Sequence, residues 1–311
     1  MSDSSKAQVG FVGKTPARPD FVRQNVTDRI GAEFDRWLQN NMQVLQQGKA
    51  ELPNGVRYMF SAPGCDSVAI GTLGRSQDQV GRAFPLAIYC SLPVADIGAN
   101  FPAVPHASAE FLVAAEAILA NVQTLSLDEL RDSVLALTPP SAADVLASTQ
   151  SLLDQIQRVP AGPLLAQLFS DDPNQSQAYG VHTLCTATAA VQKAPAAGPA
   201  TVLDCPLGAV GEAGVYPWLE LTRRRLAWSN PCPSSLWVLE PSPRLLIALG
   251  HASEQFLHFA AVPRLRATRL WPLVSERPDA IARAQALLPD LSAQPDQSTD
   301  TFWTALATFK P

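Results

Sequence analysis

The sequence predicts an α/β fold: a three-layer α/β/α sandwich with a mixed, largely antiparallel central sheet and a helical middle segment. Three observations carry this expectation. Strand and helix patterns alternate in both terminal thirds of the chain, which favours a sheet between two helical layers. The run Phe84-Pro-Leu-Ala-Ile-Tyr-Cys90 is almost continuously apolar, as a strand covered on both faces is. Neighbouring strand segments such as Val56–Ser61 and Val68–Leu73 are joined by connections too short for a parallel crossover.

Taken in order, Gln8–Val12 reads as a first strand ended by Gly13, with Pro16 and Pro19 keeping the next residues out of a helix. Thr27 is the expected N-cap of a helix, with Asp28 in its first turn. Ile30, Phe34, Trp37, Leu38 and Leu45 recur at helical spacing, and Gly48 should stop that helix after Gln47. Strands are expected at Val56–Ser61, Val68–Leu73 and Ala83–Leu92, with Pro85 near the start of the last.

Val94–Pro105 reads as a proline-bearing loop. A helical block should follow over about 105–195. Ser108 is the expected cap of a helix over Glu110–Val122, and Ser126-x-x-Glu129 is a capping box. Ser141 should start a helix ending before Pro160. Further helices are expected at Pro163–Phe169 and Gln175–Gln192, the latter with Gly180 as a weak point. The Ala/Pro/Gly-rich stretch Lys193–Pro199 has the composition of a linker and marks a possible internal boundary near 193–200. Beyond it come a strand at Thr201–Cys205 and a helix at Pro217–Trp228. A turn at Asn230–Pro233 should lead into a hairpin of Leu236–Glu240 with Arg244–Leu249. Helices near Ala252–Ala260, Pro278–Leu287 and Thr299–Thr308 complete the chain.

Composition bounds the function. The 311 residues are 47% hydrophobic and 16% charged, which suits a globular chain of one or two domains. A net charge of −5 gives no basic footprint for nucleic acid. The five cysteines show no metal-ligand spacing and are expected to be reduced thiols. The polar N-terminus lacks the apolar core of a signal peptide, and no apolar run reaches the length of a membrane span. A cytoplasmic protein without membrane insertion is the expectation.

No stretch declares a catalytic or metal site. Gly10-Phe-Val-Gly-Lys-Thr15 lacks the glycine that a phosphate-binding loop carries five residues before its Gly-Lys pair. Pro16 and Pro19 also displace the helix N-terminus that would hold phosphate. His251 and His258 are seven apart and could share a helix face, but no cysteine or carboxylate joins them at a zinc spacing. No Gly-x-Ser-x-Gly elbow is present. Arg223-Arg224-Arg225 reads as a solvated helix face, with a patch for an acidic partner as the sharper reading. In the polar loop Ser76–Arg82, Asp78 could cap the turn through the backbone, and Arg75 or Arg82 could pair with it or with Asp20. Structural knot and partner surface are equally open there.

Three segments in order carry a resemblance. They are Phe11-Val-Gly-Lys-Thr-Pro-Ala-Arg-Pro-Asp-Phe-Val-Arg23, Ser76-x-Asp78-x-Val-Gly-Arg82-x-Phe-Pro-Leu86, and Pro217-Trp-Leu-Glu-Leu-Thr-Arg-Arg-Arg-Leu-Ala-Trp228 with Ser235-Leu-Trp237. The chain resembles the TagF (ImpM) family of type VI secretion system-associated proteins, over about 9–92 and 215–250. The first segment follows that family's pattern F-x-G-K-x-P-x-x-G-D-F, with Pro19 where the pattern has glycine. Val238 stands in place of a second aromatic after Trp237.

The matching positions include Gly13, Lys14, Pro16, Arg18, Asp20, Phe21, Trp37, Asp78, Gly81, Arg82, Trp228, Ser235 and Trp237. The resemblance implies one TagF-like α/β unit over 7–311, without catalytic residues or cofactors. It implies a cytoplasmic negative regulator of type VI secretion acting after translation by protein–protein binding. The implied partner is a component of the apparatus, such as a forkhead-associated (Fha) scaffold protein. The alternatives are an assembly factor of the same apparatus and a nucleotide-binding enzyme using Gly13-Lys14-Thr15.

Overall fold

A computed structural model describes residues 7–193, 200–226, 232–263, 265–288 and 297–311. The strands are β1 (Gln8–Gly13), β2 (Val22–Gln24), β3 (Val56–Phe60), β4 (Ser67–Gly74), β5 (Leu86–Pro93), β6 (Thr201–Pro206), β7 (Ser235–Val238), β8 (Arg244–Leu249) and β9 (Leu270–Pro272). The first helices are α1 (Arg29–Gln47), α2 (Val94–Ile97), α3 (Val104–Ala107), α4 (Ala109–Ala120), α5 (Leu127–Leu135) and α6 (Ala142–Arg158). They are followed by α7 (Ala161–Leu168), α8 (Gln177–Lys193), α9 (Val215–Arg225), α10 (Phe256–Ala261), α11 (Pro278–Leu287) and α12 (Thr299–Thr308). Gly98–Ala103 and Gly208–Gly214 form 3-10 turns.

The nine strands among the described residues make one sheet in the order β2-β1-β5-β4-β3-β7-β8-β6-β9. Every neighbouring pair is antiparallel except β6–β9, which is parallel. The expected mixed, largely antiparallel sheet is therefore the observed one, and strands from both halves of the chain share it. The join is β3 against β7, with Tyr58 opposite Leu236.

Side-chain alternation divides the core into two layers. Val56, Tyr58 and Phe60 of β3 face α1 and α10, in a cluster with Phe34, Trp37 and Phe256. Phe34 stacks on Tyr58 with ring centroids 4.6 Å apart and is fully buried. Burial of such a ring is worth about 2–3 kcal/mol. Met59 faces the opposite layer, with Leu112 of α4, Leu130 of α5, Leu184 of α8, Trp218 of α9 and Trp303 of α12.

Arg57 faces that second layer too and is only 5% exposed. Its Nε and Nη2 each donate to Glu116 of α4 at 2.7 Å, and its Nη1 donates to Glu212 in the Gly208–Gly214 turn. Trp237 Nε1 donates to the same Glu212 oxygen at 3.3 Å. A polar clamp thus ties β3 and α4 to β7 and the turn before α9.

The structure corrects several expectations. The N-cap of α1 is Asp28, not Thr27: Asp28 Oδ1 accepts the Gly31 amide at 2.9 Å. Val94–Pro105 is not a loop but α2, a 3-10 turn and the start of α3. Of its prolines, Pro105 sits in the first turn of α3, where no amide partner is required, and Pro102 lies inside the short 3-10 turn. Ser108 precedes α4 without capping it, and its hydroxyl is buried with no partner. The capping boxes at Ser126 and Ser141 form as expected.

Gly180 is a close-packing position rather than a weak point. A Cβ there would lie 2.5 Å from the Phe169 ring. Strands β2 and β9 were not anticipated, being three residues each with no alternation to read. His251 lies outside α10, so it shares no helix face with His258. The helix expected at Pro217–Trp228 runs over Val215–Arg225, and Trp228 lies outside the described residues. Residues 194–199 and positions 230 and 231 of the expected turn lie outside them as well.

The Arg223-Arg224-Arg225 cluster is not a solvated face. Arg223 and Arg224 both bond Glu220 at 2.7 Å, and Arg224 reaches Asp300 of α12 at 2.6 Å. Arg225 is 4% exposed and donates to Thr188 Oγ1 and to the carbonyls of Cys185, Leu306 and Phe309. The last carbonyls of a helix lack the i+4 amides that the interior ones have, and at the end of α12 only Leu306 gains a backbone donor, the Phe309 amide at 3.1 Å. A buried guanidinium with its fork of donors serves the Leu306 and Phe309 carbonyls, and so pins α12 to α9.

Candidate functional site

The polar residues of the first two resembling segments meet at one corner of the sheet. Gly13 closes β1 at φ +143, where a Cβ would fall 2.1 Å from the Pro85 carbonyl. Only glycine allows that approach. The chain then turns: the Arg18 amide bonds the Thr15 carbonyl at 3.2 Å across Pro16 and Ala17, and Thr15 Oγ1 accepts the Ala17 amide. Pro16 presets the backbone for such a turn. The second loop, Ser76–Phe84, is closed by a bond from the Phe84 amide to the Ser76 carbonyl. Gly81 stands at φ +85 at its tip. The Gln79 amide bonds the Arg18 carbonyl at 2.9 Å and so joins the two loops.

Asp78 is the hub. Its side chain is fully buried, and Oδ1 accepts the amides of Val80 at 3.1 Å and Arg82 at 2.8 Å. Oδ2 accepts Lys14 Nζ at 2.9 Å and Arg82 Nε at 2.6 Å. Burial opposes ionisation of this carboxyl. The Arg82 amide, the Lys14 ammonium and the Arg82 guanidinium outweigh burial and hold it well below its ordinary value of 3.8. Arg82 Nη2 donates to the Pro19 carbonyl and stands 4.0 Å from Asp20. Lys14, 8% exposed, is consumed by this network. No helix N-terminus follows it.

Above the hub the corner is open. Phe21 is 37% exposed and packs edge-on against Phe84 at 4.7 Å, with Lys14 Nζ and Arg23 each about 5 Å from its ring centre. Val80 is exposed at the tip of the second loop. A cleft of about 300 Å³ lies between residues 18–23 and α5, lined on the α5 side by Leu127 and Arg131.

The sequence-predicted residues therefore divide. Gly13, Lys14, Pro16, Asp78, Gly81 and Arg82 build the corner, while Arg18, Asp20 and Phe21 present its surface. Ser235 and Trp237 are elsewhere, in β7 and fully buried. Four strands separate β7 from β2, so the two places are roughly 24 Å apart at ~4.8 Å per strand. Trp237 serves the Arg57 clamp. Trp228 lies outside the described residues. Sequence reasoning missed Arg23, Leu127 and Arg131. Arg131 is one of several charges on an amphipathic helix, and only the fold brings it to the cleft.

Among the described residues, no three His, Cys, Asp or Glu side chains gather as a metal site would require. None of the described helices is by itself long and apolar enough to cross a membrane.

Comparison with known proteins bears on this corner. Residues 10–137 match the TagF N-terminal domain, a type VI secretion system-associated family. Among solved structures, the crystal structure of PA0076 from Pseudomonas aeruginosa PAO1 is similar at 25% identity, with a TM-score of 0.38. The match covers 43% of this chain and 64% of that one, so this chain spans less than two thirds of that protein's length. No curated protein matches the chain. The 10–137 segment, which is similar to the N-terminal domain of the TagF family of type VI secretion system-associated proteins, holds both loops of the corner and α5 across the cleft.

Proposed function

We propose that this protein is a non-enzymatic, cytoplasmic regulator that holds type VI secretion down after translation, by binding another component of the apparatus. The corner formed by Gly13–Arg23 and Ser76–Phe84 is its contact surface. The observation that carries this reading is the division of labour around Asp78. A buried, fully bonded carboxylate fixes two loops whose outer residues, Arg18, Asp20, Phe21 and Val80, are left facing solvent. Preorganised loops of this kind lower the ordering cost of binding. Lys14 faces Asp78 rather than an open phosphate-sized space, which argues for binding rather than nucleotide chemistry. A forkhead-associated (Fha) scaffold protein is the partner that the family resemblance suggests.

Deletion and overproduction in the native cell test the direction of the effect. Deletion should raise effector secretion and overproduction should lower it. A fall on deletion would replace regulation by an assembly role, and no change in either would remove the reading. A pull-down with the purified protein should recover a secretion component from wild type and lose it with Arg18→Ala and Phe21→Ala, both with unchanged melting temperature.

A further inference from the structure

The cleft beside the corner follows a sheet edge. Six consecutive residues, Arg18–Arg23, line one wall. Val22 and Arg23 belong to β2, and Arg18–Phe21 lead into it through a bend at Pro19 and Asp20, so this wall runs from the loop onto the edge strand. The other wall is α5. The floor is apolar, formed by the buried Phe11 and Val22, with Phe21 at the lip. β2 is the terminal strand of the sheet, with no strand outside it among the described residues. The opposite terminal strand, β9, ends in Pro272, which carries no amide donor and blunts that edge.

Charge selects the occupant. Three arginines and one aspartate line the cleft, on a chain whose net charge is −5. Arg23 is engaged by Asp35 of α1 at 2.7 Å. Arg18 forms no ion pair among the described residues. Arg131 stands 3.9 Å from Asp128, whose side chain is almost wholly exposed. Two guanidinium groups, Arg18 and Arg131, thus stand on opposite walls of the cleft. A second copy paired antiparallel through the middle of β2 would set Arg23 against its own counterpart, and like charges directly across a strand pair are unfavourable.

We propose that this cleft takes an extended, acidic segment of a partner protein, which adds as a strand outside β2 and sets its carboxylates on Arg18 and Arg131. The inference rests on the protein-binding reading above and names the chemistry of the bound segment. Main-chain hydrogen bonds to the free edge supply affinity, and the alternate side chains facing α5 supply selectivity.

The test is fluorescence anisotropy with the full chain and a fluorescein-labelled octapeptide alternating Glu and Val. A Lys/Val octapeptide and a Glu/Val peptide N-methylated at alternate residues serve as controls. The Glu/Val peptide should bind, and the Lys/Val peptide should not. N-methylation should abolish binding by removing the strand's donors. Arg18→Glu with Arg131→Glu should weaken binding about tenfold or more, equivalent to about 1.4 kcal/mol. Arg36→Glu with Arg158→Glu, which changes net charge equally at exposed positions off the cleft, should leave it unchanged.

No binding of the Glu/Val peptide, equal binding of the N-methylated peptide, or insensitivity to the Arg18 and Arg131 changes would overturn the proposal. So would sedimentation showing a dimer that the Arg18 and Arg131 changes dissolve, since the edge would then serve a second copy. The two readings fail separately. A secretion change on deletion without peptide binding removes only the strand-addition proposal. Peptide binding without a secretion change removes only the regulatory one.

Discussion

Replacing Arg57 by methionine should keep most of the side chain's volume and delete its charge. Three ionic contacts go with it: the bidentate pair to Glu116 and the bond to Glu212. Breaking a buried ion pair by removing one partner costs about 3–5 kcal/mol when the remaining charge stays buried. Here the orphaned carboxylates are 30% and 32% exposed, so water can reach both. That relief lowers the expected cost to about 2–3 kcal/mol, or a fall of about 3–5 °C in melting temperature for a chain of this size. Thermal unfolding followed by circular dichroism measures it. A double-mutant cycle with Glu116→Gln should give a coupling of about 1–2 kcal/mol, because the two groups share bonds in one network. A melting temperature within 1 °C or so of wild type, or no coupling in the cycle, would refute the idea that this clamp joins the two halves of the sheet.

Two further outcomes follow from the corner. Asp78 has a folded-state pKa below its unfolded value of 3.8. Its contribution is therefore fully present above about pH 4 and is lost as pH falls toward the depressed folded value. Between pH 5 and 2 or so, Asp78→Asn should show a shallower loss of stability than wild type in acid-unfolding curves; parallel curves would count against the hub. ATP or GTP with magnesium should not raise the melting temperature, because Lys14 is held by Asp78; stabilisation that grows with nucleotide concentration would restore a phosphate-binding role to the Gly13–Thr15 turn.

The legible parts of the fold were those with long periods or local chemistry. Helix α1 reads directly from its apolar positions, and the buried β5 from its unbroken apolar run, because burial of a whole face must be written into many residues. The capping boxes at Ser126 and Ser141 are purely local and formed as read. What escaped was short or dictated from a distance. β2 has three residues and exists because β1 lies beside it.

The arginines of α9 look like a solvent face in sequence. Arg225 finds its acceptors on α8 and at the end of α12, some 40 and 80 positions away, so no local pattern could reveal them. The same limit applied to the corner. The sequence brought Lys14, Arg18, Asp20, Asp78 and Arg82 forward together but left structural and contact roles open. Burial separates them: Lys14 and Asp78 lie inside, and Arg18 and Asp20 lie outside.

The position of the corner within the whole sheet has its own consequence. Residues 10–137 contribute β1 to β5, in the order β2-β1-β5-β4-β3. Taken alone, that array has two raw edges, β2 and β3. β3 is buried along its full length, and its edge is covered by β7 from beyond residue 137. Arg57, on the same strand, needs Glu212 from that later part of the chain. The second half thus closes one edge of the family-matched segment with a strand and an ionic clamp, and it leaves the other edge alone. An exposed edge is a hazard that proteins blunt with short strands, charge or proline. β9 carries its proline, whereas β2 carries only brevity and Arg23. Among the described strands, β3 is closed by β7 and β9 ends in proline, whereas β2 keeps its donors beside a basic cleft, which is where the proposed partner strand, selected by charge, is set.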